Sequence, residues 1–351
     1  MHALADTPVG ERDRAAVERQ VVALVAGLVR ELASAPGREV APGDSLDRDL
    51  GLGSLERVEL LLRVGQELDV HLADEAVASA DTVADIVRAV VAGCPRIAAQ
   101  RPTIVEPAPG GLATPGSAAT LVDALAWQAQ RDPGRVHIFL RGEDGAEQAI
   151  TYGALWQRAC GVAAMLREEG LVPGEQAALM LRTEEGFFAS FFGVLLAGGV
   201  PVPIYPPFRL DRLEEYAQRQ TAILRNAEAR LLVTFDAAAR VASLLRSRVP
   251  TLRGVVTLGT GVAPTEGPVF AAAAGDAALI QYTSGSTGQP KGVLLSHANL
   301  LANIRGIGRA LALQPDDVGV SWLPLYHDMG LIGTWLTALF FGLPIAFLSP
   351  L

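Results

Sequence analysis

The stretch Tyr282–Val293 reads Tyr-Thr-Ser-Gly-Ser-Thr-Gly-Gln-Pro-Lys-Gly-Val and lies between two apolar runs, Ala277–Ile280 and Val293–Leu295. Four hydroxyl side chains, two glycines and one ammonium group fall within Thr283–Lys291. Glycines let backbone N–H groups approach an anion closely, hydroxyls donate to phosphate oxygens, and an ammonium supplies a compact positive charge. The composition therefore predicts a polyphosphate-binding loop, although Ser, Thr and Gly clusters also form ordinary turns.

Lysine usage favours the phosphate interpretation. Lys291 is the only lysine in 351 residues, and the other 28 of the 29 basic residues are arginines. The loop is not a Walker A motif, in which the lysine directly follows the second glycine and a helix begins next. Here Gln289 and Pro290 separate Gly288 from Lys291, and a strand-like run follows. We therefore exclude a P-loop nucleotidase.

The loop resembles the phosphate-binding signature of the adenylate-forming superfamily, which includes acyl-CoA synthetases, amino-acid adenylation domains and fatty acyl-AMP ligases. The match runs from Tyr282 to Gly292 without a gap. In that family the loop holds the β- and γ-phosphates of ATP, with Mg²⁺ as the second cofactor, and the resemblance implies that Lys291 also acts in catalysis. It implies the phosphate-binding role for Thr283, Ser284, Gly285, Ser286, Thr287, Gly288 and Lys291.

Composition and charge narrow the class of protein. The chain is 50% hydrophobic, has a pI near 5.2 and carries a net charge of −9, as expected of a globular protein with two or three domains. The negative charge argues against nucleic acid as a partner. Residues 1–95 contain 17 acidic residues and 9 arginines, a net charge of −8, so the acidity belongs to an N-terminal module.

Several features predict a cytoplasmic location. The first residues lack the apolar core and cleavage site of a signal peptide. Cys94 and Cys160 lie far apart and match no metal-ligand spacing, so we expect reduced thiols and no protein-bound metal site. Met329–Leu348 is nearly uncharged and about as long as a membrane span. Its internal glycines favour a buried helix ending at Gly342 and then a strand, Ile345–Leu348, so no membrane span is predicted.

The N-terminal module shows three amphipathic patterns of helical period, at Arg14–Ala33, Ser54–Asp69 and Thr82–Val91. Thr82 and Asp85 are placed like a capping box at the start of the third pattern. Three such helices, with a long loop before the second, predict a small all-α bundle.

Ser54 opens the second of these helices, within a segment that reads Leu-Gly-Leu-Gly-Ser-Leu-Glu-Arg-Val-Glu-Leu over residues 50–60. A serine there is an ordinary helix N-cap, whose hydroxyl accepts from a free backbone N–H group. The acidic three-helix setting nevertheless resembles an acyl carrier protein, in which this serine carries 4′-phosphopantetheine. The Asp-Ser-Leu of typical carriers reads Gly53-Ser54-Leu55 here, so the aspartate is missing. The resemblance implies that Ser54 is the phosphopantetheine-binding residue.

From Leu121 onward, helical and strand-like patterns alternate, which predicts an α/β domain with a largely parallel sheet between helices. Ligands of such folds bind beyond the strand ends, where the Tyr282 loop is expected. We predict three parts: an acyl-carrier-like domain at 1–93, a Pro/Gly-rich linker at 94–119, and the N-terminal domain of an adenylate-forming ligase at 120–351. Family members continue with segments that contact adenine, ribose and the α-phosphate, so we expect an incomplete, truncated ligase domain.

Two further segments refine the resemblance. Pro201–Pro207, which reads Pro-Val-Pro-Ile-Tyr-Pro-Pro, is similar to fatty acyl-AMP ligases more than to their CoA-ligase relatives. Ser321–Gly333 resembles the segment that lines the acyl and carboxylate site in the same group. Amino-acid adenylation domains place Phe-Asp in this segment, whereas Tyr326 and His327 offer no carboxylate for a substrate amine. A lone histidine is often structural, but the resemblance implies a catalytic His327. The residues predicted to contact substrate are Tyr326, His327, Asp328, Met329 and Gly330.

Together these resemblances imply ATP-dependent activation of a fatty acid to an acyl-adenylate, and then transfer to a phosphopantetheine carrier in lipid, polyketide or lipopeptide biosynthesis. The expected partners are a fatty acid, a phosphopantetheinyl transferase, and a carrier protein or a downstream polyketide or nonribosomal peptide synthase. Two alternatives stay open. The chain is a non-catalytic carrier or interaction fragment, or it is a relative of fatty acyl-CoA ligases.

Overall fold

The computed structural model describes residues 14–31, 39–52, 54–72, 80–92, 94–95, 114–141, 147–207, 213–258, 269–283 and 290–348. The chain divides into two units, Met1–Thr103 and Ile104–Pro350. The first unit packs around one hydrophobic core and the second around two. The multi-domain architecture predicted from the sequence, with an N-terminal helical part followed by an α/β part, is confirmed.

The first unit is a helical bundle with one very short ladder. Among its described residues the helices are α1 (Arg14–Glu31), α2 (Ser54–Glu67) and α3 (Val83–Ala92), and β1 (Val70–His71) pairs antiparallel with β2 (Cys94–Pro95). All three predicted helices are present, with ends that differ by no more than two residues from the predicted ones. The predicted linker starts at residue 94, whereas the structure places Cys94 and Pro95 in this ladder.

Periodic valines and leucines explain why α1 and α3 pack together. Val21 and Val25 of α1 and Ile86 and Val90 of α3 are completely buried in one cluster. The capping box that starts α3 is confirmed. The backbone N–H of Thr82 donates to Asp85 Oδ2 at 2.8 Å, and the N–H of Asp85 donates to Thr82 Oγ1 at 3.3 Å.

In the part of the second unit that the structure describes, the strands form two four-stranded sheets and a separate hairpin. One sheet has the order β11-β12-β3-β4, in which only the β3–β4 pair is antiparallel, and the other has the all-parallel order β6-β5-β7-β8. The strands are β3 (Val136–Arg141), β4 (Glu147–Thr151), β5 (Gln176–Leu179), β6 (Val200–Pro203), β7 (Leu231–Phe235), β8 (Gly254–Leu258), β9 (Ala277–Thr283), β10 (Lys291–Ser296), β11 (Gly319–Ser321) and β12 (Ile345–Leu348). The sequence predicted one largely parallel sheet in an α/β domain. The α/β class and the largely parallel pairing of the four-stranded sheets are confirmed, but the strands form two such sheets and not one, because periodicity identifies strands and not their partners.

Helices fill the connections between these strands. They are α4 (Leu121–Arg131), α5 (Tyr152–Glu168), α6 (Glu185–Leu196), α7 (Leu213–Asn226), α8 (Ala239–Arg248), α9 (His297–Ala310), and a π-helix (Met329–Leu336) that continues into α10 (Thr337–Phe341). The sequence analysis did not assign α9. Its signal was available, because Ser296 and Asn299 form a capping box directly before an apolar periodic run.

The π-helix is anchored by one large aromatic residue. Trp335 is completely buried, and its ring lies 4.8 Å from the ring of Phe188 and 5.4 Å from that of Phe191, both on α6. The chain then ends α10 at Gly342, which adopts φ 68°, and enters buried β12. The predicted helix end at Gly342 and the predicted strand are confirmed. Within the described ranges, no helix has the length and apolar character needed to cross a membrane.

Candidate functional site

The predicted phosphate loop connects the two strands of an antiparallel hairpin. Thr283, the last residue of β9, pairs with Lys291, the first residue of β10, and both side chains are exposed. The hairpin belongs to neither four-stranded sheet, so the expected position beyond the strands of a parallel sheet is corrected. The predicted phosphate-binding residues Ser284, Gly285, Ser286, Thr287 and Gly288 lie outside the described residues.

A tyrosine and a glycine stabilise the base of this hairpin. Tyr282 pairs across the ladder with Gly292, and a Cβ atom on Gly292 would lie only 2.9 Å from Cζ of the tyrosine ring. The Tyr282 hydroxyl donates to Asn226 Oδ1 at 2.5 Å. Burial raises the pKa of Tyr282 to about 12, so the phenol stays neutral and keeps its donor. A side chain at position 292 would therefore displace the Tyr282 ring from its present position.

Gln281 links the hairpin to the second candidate segment. This β9 residue is 4% exposed, and its Nε2 donates to the backbone carbonyl of Tyr326 at 2.8 Å. The sequence analysis did not select Gln281. The available signal was a single amide in an otherwise apolar buried strand, next to the loop. The structure thereby joins the Lys291 hairpin to the turn that carries Tyr326 and His327.

Residues 322–328 form a turn between β11 and the π-helix. The ring of Tyr326 lies 5.0 Å from the His327 ring and 6.1 Å from the ring of Tyr205. Tyr205 is itself held by Tyr216, whose hydroxyl donates to the Tyr205 carbonyl at 2.8 Å. Two segments that the sequence analysis treated separately, the Tyr-Pro-Pro run and the Tyr-His-Asp run, are therefore neighbours.

The electrostatic surroundings keep both aromatic groups of this turn uncharged near neutral pH. Burial, with a smaller contribution from Tyr205, raises the pKa of Tyr326 well above its ordinary value. The His327 side chain is solvent-exposed, yet partial desolvation lowers its pKa; the Arg219 cation acts in the same direction and Asp328 opposes it. A neutral imidazole can donate or accept a hydrogen bond, but it contributes no positive charge.

The turn is tight because Gly330 packs against its backbone. A Cβ atom on Gly330 would lie 2.3 Å from the Pro324 carbonyl oxygen and 3.0 Å from that of Leu323. Asp328 Oδ1 accepts from the N–H of Met329 at 2.8 Å and caps the start of the π-helix. Gly330 therefore leaves room for the backbone of the turn, and Asp328 caps the start of the π-helix.

We expect Gly330→Ala to destabilise the second unit by about 1–3 kcal/mol, since a backbone carbonyl cannot move aside as a side-chain tip can. Urea unfolding followed by tryptophan fluorescence reports on this unit, because all four tryptophans lie in it. Gly306→Ala is the matched control: Gly306 lies in α9 with nothing within 4 Å of a new Cβ, and alanine there should stabilise by up to about 1 kcal/mol. Equal midpoints for wild type and Gly330→Ala would contradict this account.

A cavity of 340 Å³ lies between α9 and the π-helix. Its apolar lining comes from both helices and from the end of β10, and Asn299, Asn303 and Asp328 add polar groups. Of the predicted substrate residues, Asp328 and Met329 line this cavity, whereas Tyr326, His327 and Gly330 do not. The apolar lining residues are Leu295, Leu300, Ile307, Met329 and Ile332.

The remaining candidate residues do not line the cavity. Leu331 and Trp335, which belong to the same apolar run as Met329 and Ile332, are completely buried core residues. Trp335 packs against aromatic rings of α6, whereas Met329 and Ile332 line the cavity. Ser54 is the first residue of α2 in the other unit, where the sequence analysis placed it.

Comparison with models of protein families shows which family the chain belongs to. A family model described as "AMP-binding enzyme" matches residues 125–351, about two thirds of the chain. The chain belongs to the AMP-binding enzyme family. A second model, described as "Phosphopantetheine attachment site", matches residues 23–90, in the helical unit. The predicted combination of a carrier-like part and an AMP-binding part, with ATP, Mg²⁺ and 4′-phosphopantetheine as its cofactors, is thus supported.

Several relatives of this AMP-binding enzyme have names that specify fatty acids. It is 35% identical over 217 residues to "Long-chain-fatty-acid--AMP ligase FadD32" of Mycobacterium marinum, covering 60% of this chain and 33% of that protein. It is 30% identical over 238 residues to "Medium-chain-fatty-acid--[acyl-carrier-protein] ligase JamA" of Moorena producens, covering 66% and 40%. A "Putative acyl-CoA synthetase" of Caulobacter vibrioides is 34% identical, with 63% and 38% covered. The chain therefore spans about a third to two fifths of the length of these relatives.

Solved structures agree with the family assignment. A fatty acyl-adenylate ligase from L. pneumophila, in complex with acyl adenylate and pyrophosphate, superposes with a TM-score of 0.57 at 30% identity, covering 67% of this chain and 40% of that one. The adenylation domain of a keto acid-selecting NRPS module, bound to keto acyl adenylate, gives a TM-score of 0.61 at 22% identity, with 69% and 43% covered. The second likeness concerns the fold alone.

Proposed function

We propose that this chain takes part in the ATP-dependent activation of a fatty acid to an acyl-adenylate that is passed to a phosphopantetheine carrier. One observation carries the proposal. The β9–β10 hairpin presents Thr283 and Lys291 at the base of the phosphate loop, and Gln281 ties that hairpin to the turn bearing Tyr326 and His327. The names of the fatty acyl-AMP relatives support the same substrate class.

The proposed reaction has two steps. The fatty carboxylate attacks the α-phosphorus of ATP, the bond to the β-phosphate oxygen breaks, and pyrophosphate leaves. A phosphopantetheine thiol then attacks the acyl carbonyl, the bond to the AMP oxygen breaks, and AMP leaves with the thiol proton transferred to solvent. Catalysis of phosphoryl transfer is mainly positioning and charge neutralisation. In the proposal, Lys291 and the loop hydroxyls neutralise and orient the β- and γ-phosphates.

The residues of the hairpin and of the start of α2 suit the proposed cofactors. Mg²⁺ would supply further neutralisation of phosphate charge, and it needs few protein ligands because it keeps several waters. Lys291 and Thr283 are exposed and adjacent across the ladder, as a phosphate ligand requires. Ser54 begins α2 of the helical unit, where an attachment serine is expected, and we propose that it carries the phosphopantetheine.

The acyl part of the substrate is proposed to occupy the cavity between α9 and the π-helix. Met329 and Ile332 offer apolar surface there, and Asp328 lies at the same wall. Tyr326 and the neutral His327 are proposed to orient the carboxylate by hydrogen bonds, and Gly330 gives their turn its shape. Because His327 brings no positive charge, neutralisation is left to the loop and the metal.

We also propose partner proteins and a cellular location for this chain. A carrier protein is supported by the relatives that are named as acyl-carrier-protein ligases, while a phosphopantetheinyl transferase and a downstream polyketide or nonribosomal peptide synthase are proposed on chemical grounds. A cytoplasmic location is proposed because carrier modification and ATP are found there. The domain boundaries at 1–93, 94–119 and 120–351 stay predictions.

Fatty-acid-dependent exchange of labelled pyrophosphate into ATP by the full chain tests this function. We expect exchange with fatty acids and none with amino acids, because Tyr326 and His327 offer no carboxylate for a substrate amine and the neighbouring Asp328 is engaged as the cap of the π-helix. Absence of exchange with short-, medium- and long-chain acids would contradict the proposal and favour the non-catalytic alternative. Adding CoA tests the acyl-CoA ligase alternative, which the Caulobacter relative favours: formation of acyl-CoA at the rate of adenylation would support it.

A further inference from the structure

Gln281 is a buried amide that joins two segments of the chain through its nitrogen. Its Nε2 makes the 2.8 Å contact with the Tyr326 carbonyl and a longer one, 3.4 Å, with the carbonyl of Tyr282. Its Oε1 is buried and has no hydrogen-bond donor among the described residues. The contact with the Tyr326 carbonyl joins two segments that are 45 positions apart in the chain. A leucine of similar size fills the same space but cannot make this hydrogen bond, so the glutamine does more than fill space.

The placement of Gln281 suggests what its contact does. Along β9 it lies two residues before Thr283, where the phosphate loop begins, and its acceptor belongs to the residue directly before His327. The ring of Tyr326 is packed beside Tyr205 on another segment. The ring contact and the amide contact therefore hold the turn at two separate points, and the amide contact connects it to the hairpin strand.

We propose that Gln281 is a positioning residue, which keeps the Tyr326–His327 turn in register with the phosphate loop so that carboxylate and α-phosphate meet in line. This inference rests on the proposed function. In-line displacement requires reacting atoms about 3–3.5 Å apart, and a misplacement of about 1 Å costs on the order of a hundredfold in rate. Gln281 touches neither substrate itself, and its effect passes through the backbone of Tyr326.

Two variants isolate the contact. Gln281→Leu removes both polar atoms at similar size, and Gln281→Glu keeps an oxygen but replaces the donor with a carboxylate that repels the Tyr326 carbonyl. The matched control is Gln128→Leu. Gln128 is also buried, and its Nε2 donates to the backbone carbonyls of Leu339 and Phe340 at 3.1 and 3.2 Å, at the end of α10.

Three measurements on the full chain separate positioning from general stability. For Gln281→Leu we expect MgATP affinity within about twofold of wild type, a fall in the kcat of pyrophosphate exchange of about ten- to a hundredfold, and faster hydrogen–deuterium exchange in a peptide covering residues 323–331. Gln281→Glu should show the same pattern. Gln128→Leu should lower the melting temperature without slowing pyrophosphate exchange or raising hydrogen exchange in that peptide.

The outcomes are distinguishable. If Gln281→Leu behaves like Gln128→Leu, with lower melting temperature and unchanged protection of residues 323–331, the positioning role is wrong. A parallel loss of ATP affinity would also overturn it, because the hairpin itself would then be disturbed. If the wild-type chain shows no pyrophosphate exchange, the proposed function fails, and hydrogen exchange alone decides whether Gln281 holds the turn.

Discussion

Replacing Lys291 with alanine is expected to weaken ATP binding about ten- to a hundredfold. Lys291 is the only lysine of the chain, it is exposed, and it stands at the first position of β10, opposite Thr283. A hydrogen bond between a charged donor and a phosphate oxygen contributes about 1.5–3 kcal/mol, which corresponds to that range of affinity. Calorimetric titration of the full chain with MgATP measures the loss directly.

The control variant removes one positive charge at a position away from the loop. Arg309→Ala, at an exposed position in the last turn of α9, changes the net charge of the chain as Lys291→Ala does and should leave ATP affinity within about twofold. Lys291→Arg keeps the charge but replaces a compact ammonium with a planar fork, so an intermediate affinity is expected. Wild-type affinity in Lys291→Ala would contradict the assignment of the loop to ATP phosphates.

Replacing Ser54 with alanine is expected to abolish phosphopantetheine attachment completely. The hydroxyl oxygen of Ser54 is the proposed attachment atom, and alanine offers no substitute nucleophile. Intact-mass spectrometry of chain co-expressed with a phosphopantetheinyl transferase should show a gain of one phosphopantetheine group for wild type and no gain for Ser54→Ala.

A second serine of the same unit provides the control for this experiment. Ser45 is buried and forms an isolated bridge with Thr82, so Ser45→Ala tests whether modification depends on any serine or on the one that starts α2. Ser45→Ala should be modified like wild type. An unmodified wild-type chain would contradict the assignment of Ser54 as the attachment residue.

Sequence patterns predicted the elements that are formed by interactions between residues close together in the chain. The period of Val17, Val21 and Val25 predicted α1, the spacing of Thr82 and Asp85 predicted the start of α3, and Gly342 predicted the end of the helix before β12. In each case the interaction that forms the element joins residues within about one helical turn.

Features that depend on contacts between distant residues were not predictable in this way. Gln281 and Tyr326 are 45 positions apart, and no rule of spacing connects a strand amide to that carbonyl. Leu331 and Met329 are both apolar and two residues apart, yet Leu331 belongs to the hydrophobic core and Met329 is 63% exposed, a difference that residue type does not indicate. Sheet order likewise follows from tertiary packing, which alternation of elements does not specify.

The pairing of Thr283 with Lys291 has a thermodynamic consequence for the seven residues between them. Cross-strand partners lie about 5 Å apart, so folding of the hairpin has already brought the two ends of that segment together. Closing seven residues costs about 1.7 kcal/mol of chain entropy above a constant term, from (3/2)RT ln n. That entropy is lost on folding and not on binding. A substitution that weakens the β9–β10 ladder would return this freedom to the segment. Under the proposed function, the entropy cost would then fall on ATP binding and lower the affinity, even with every residue of the loop unchanged.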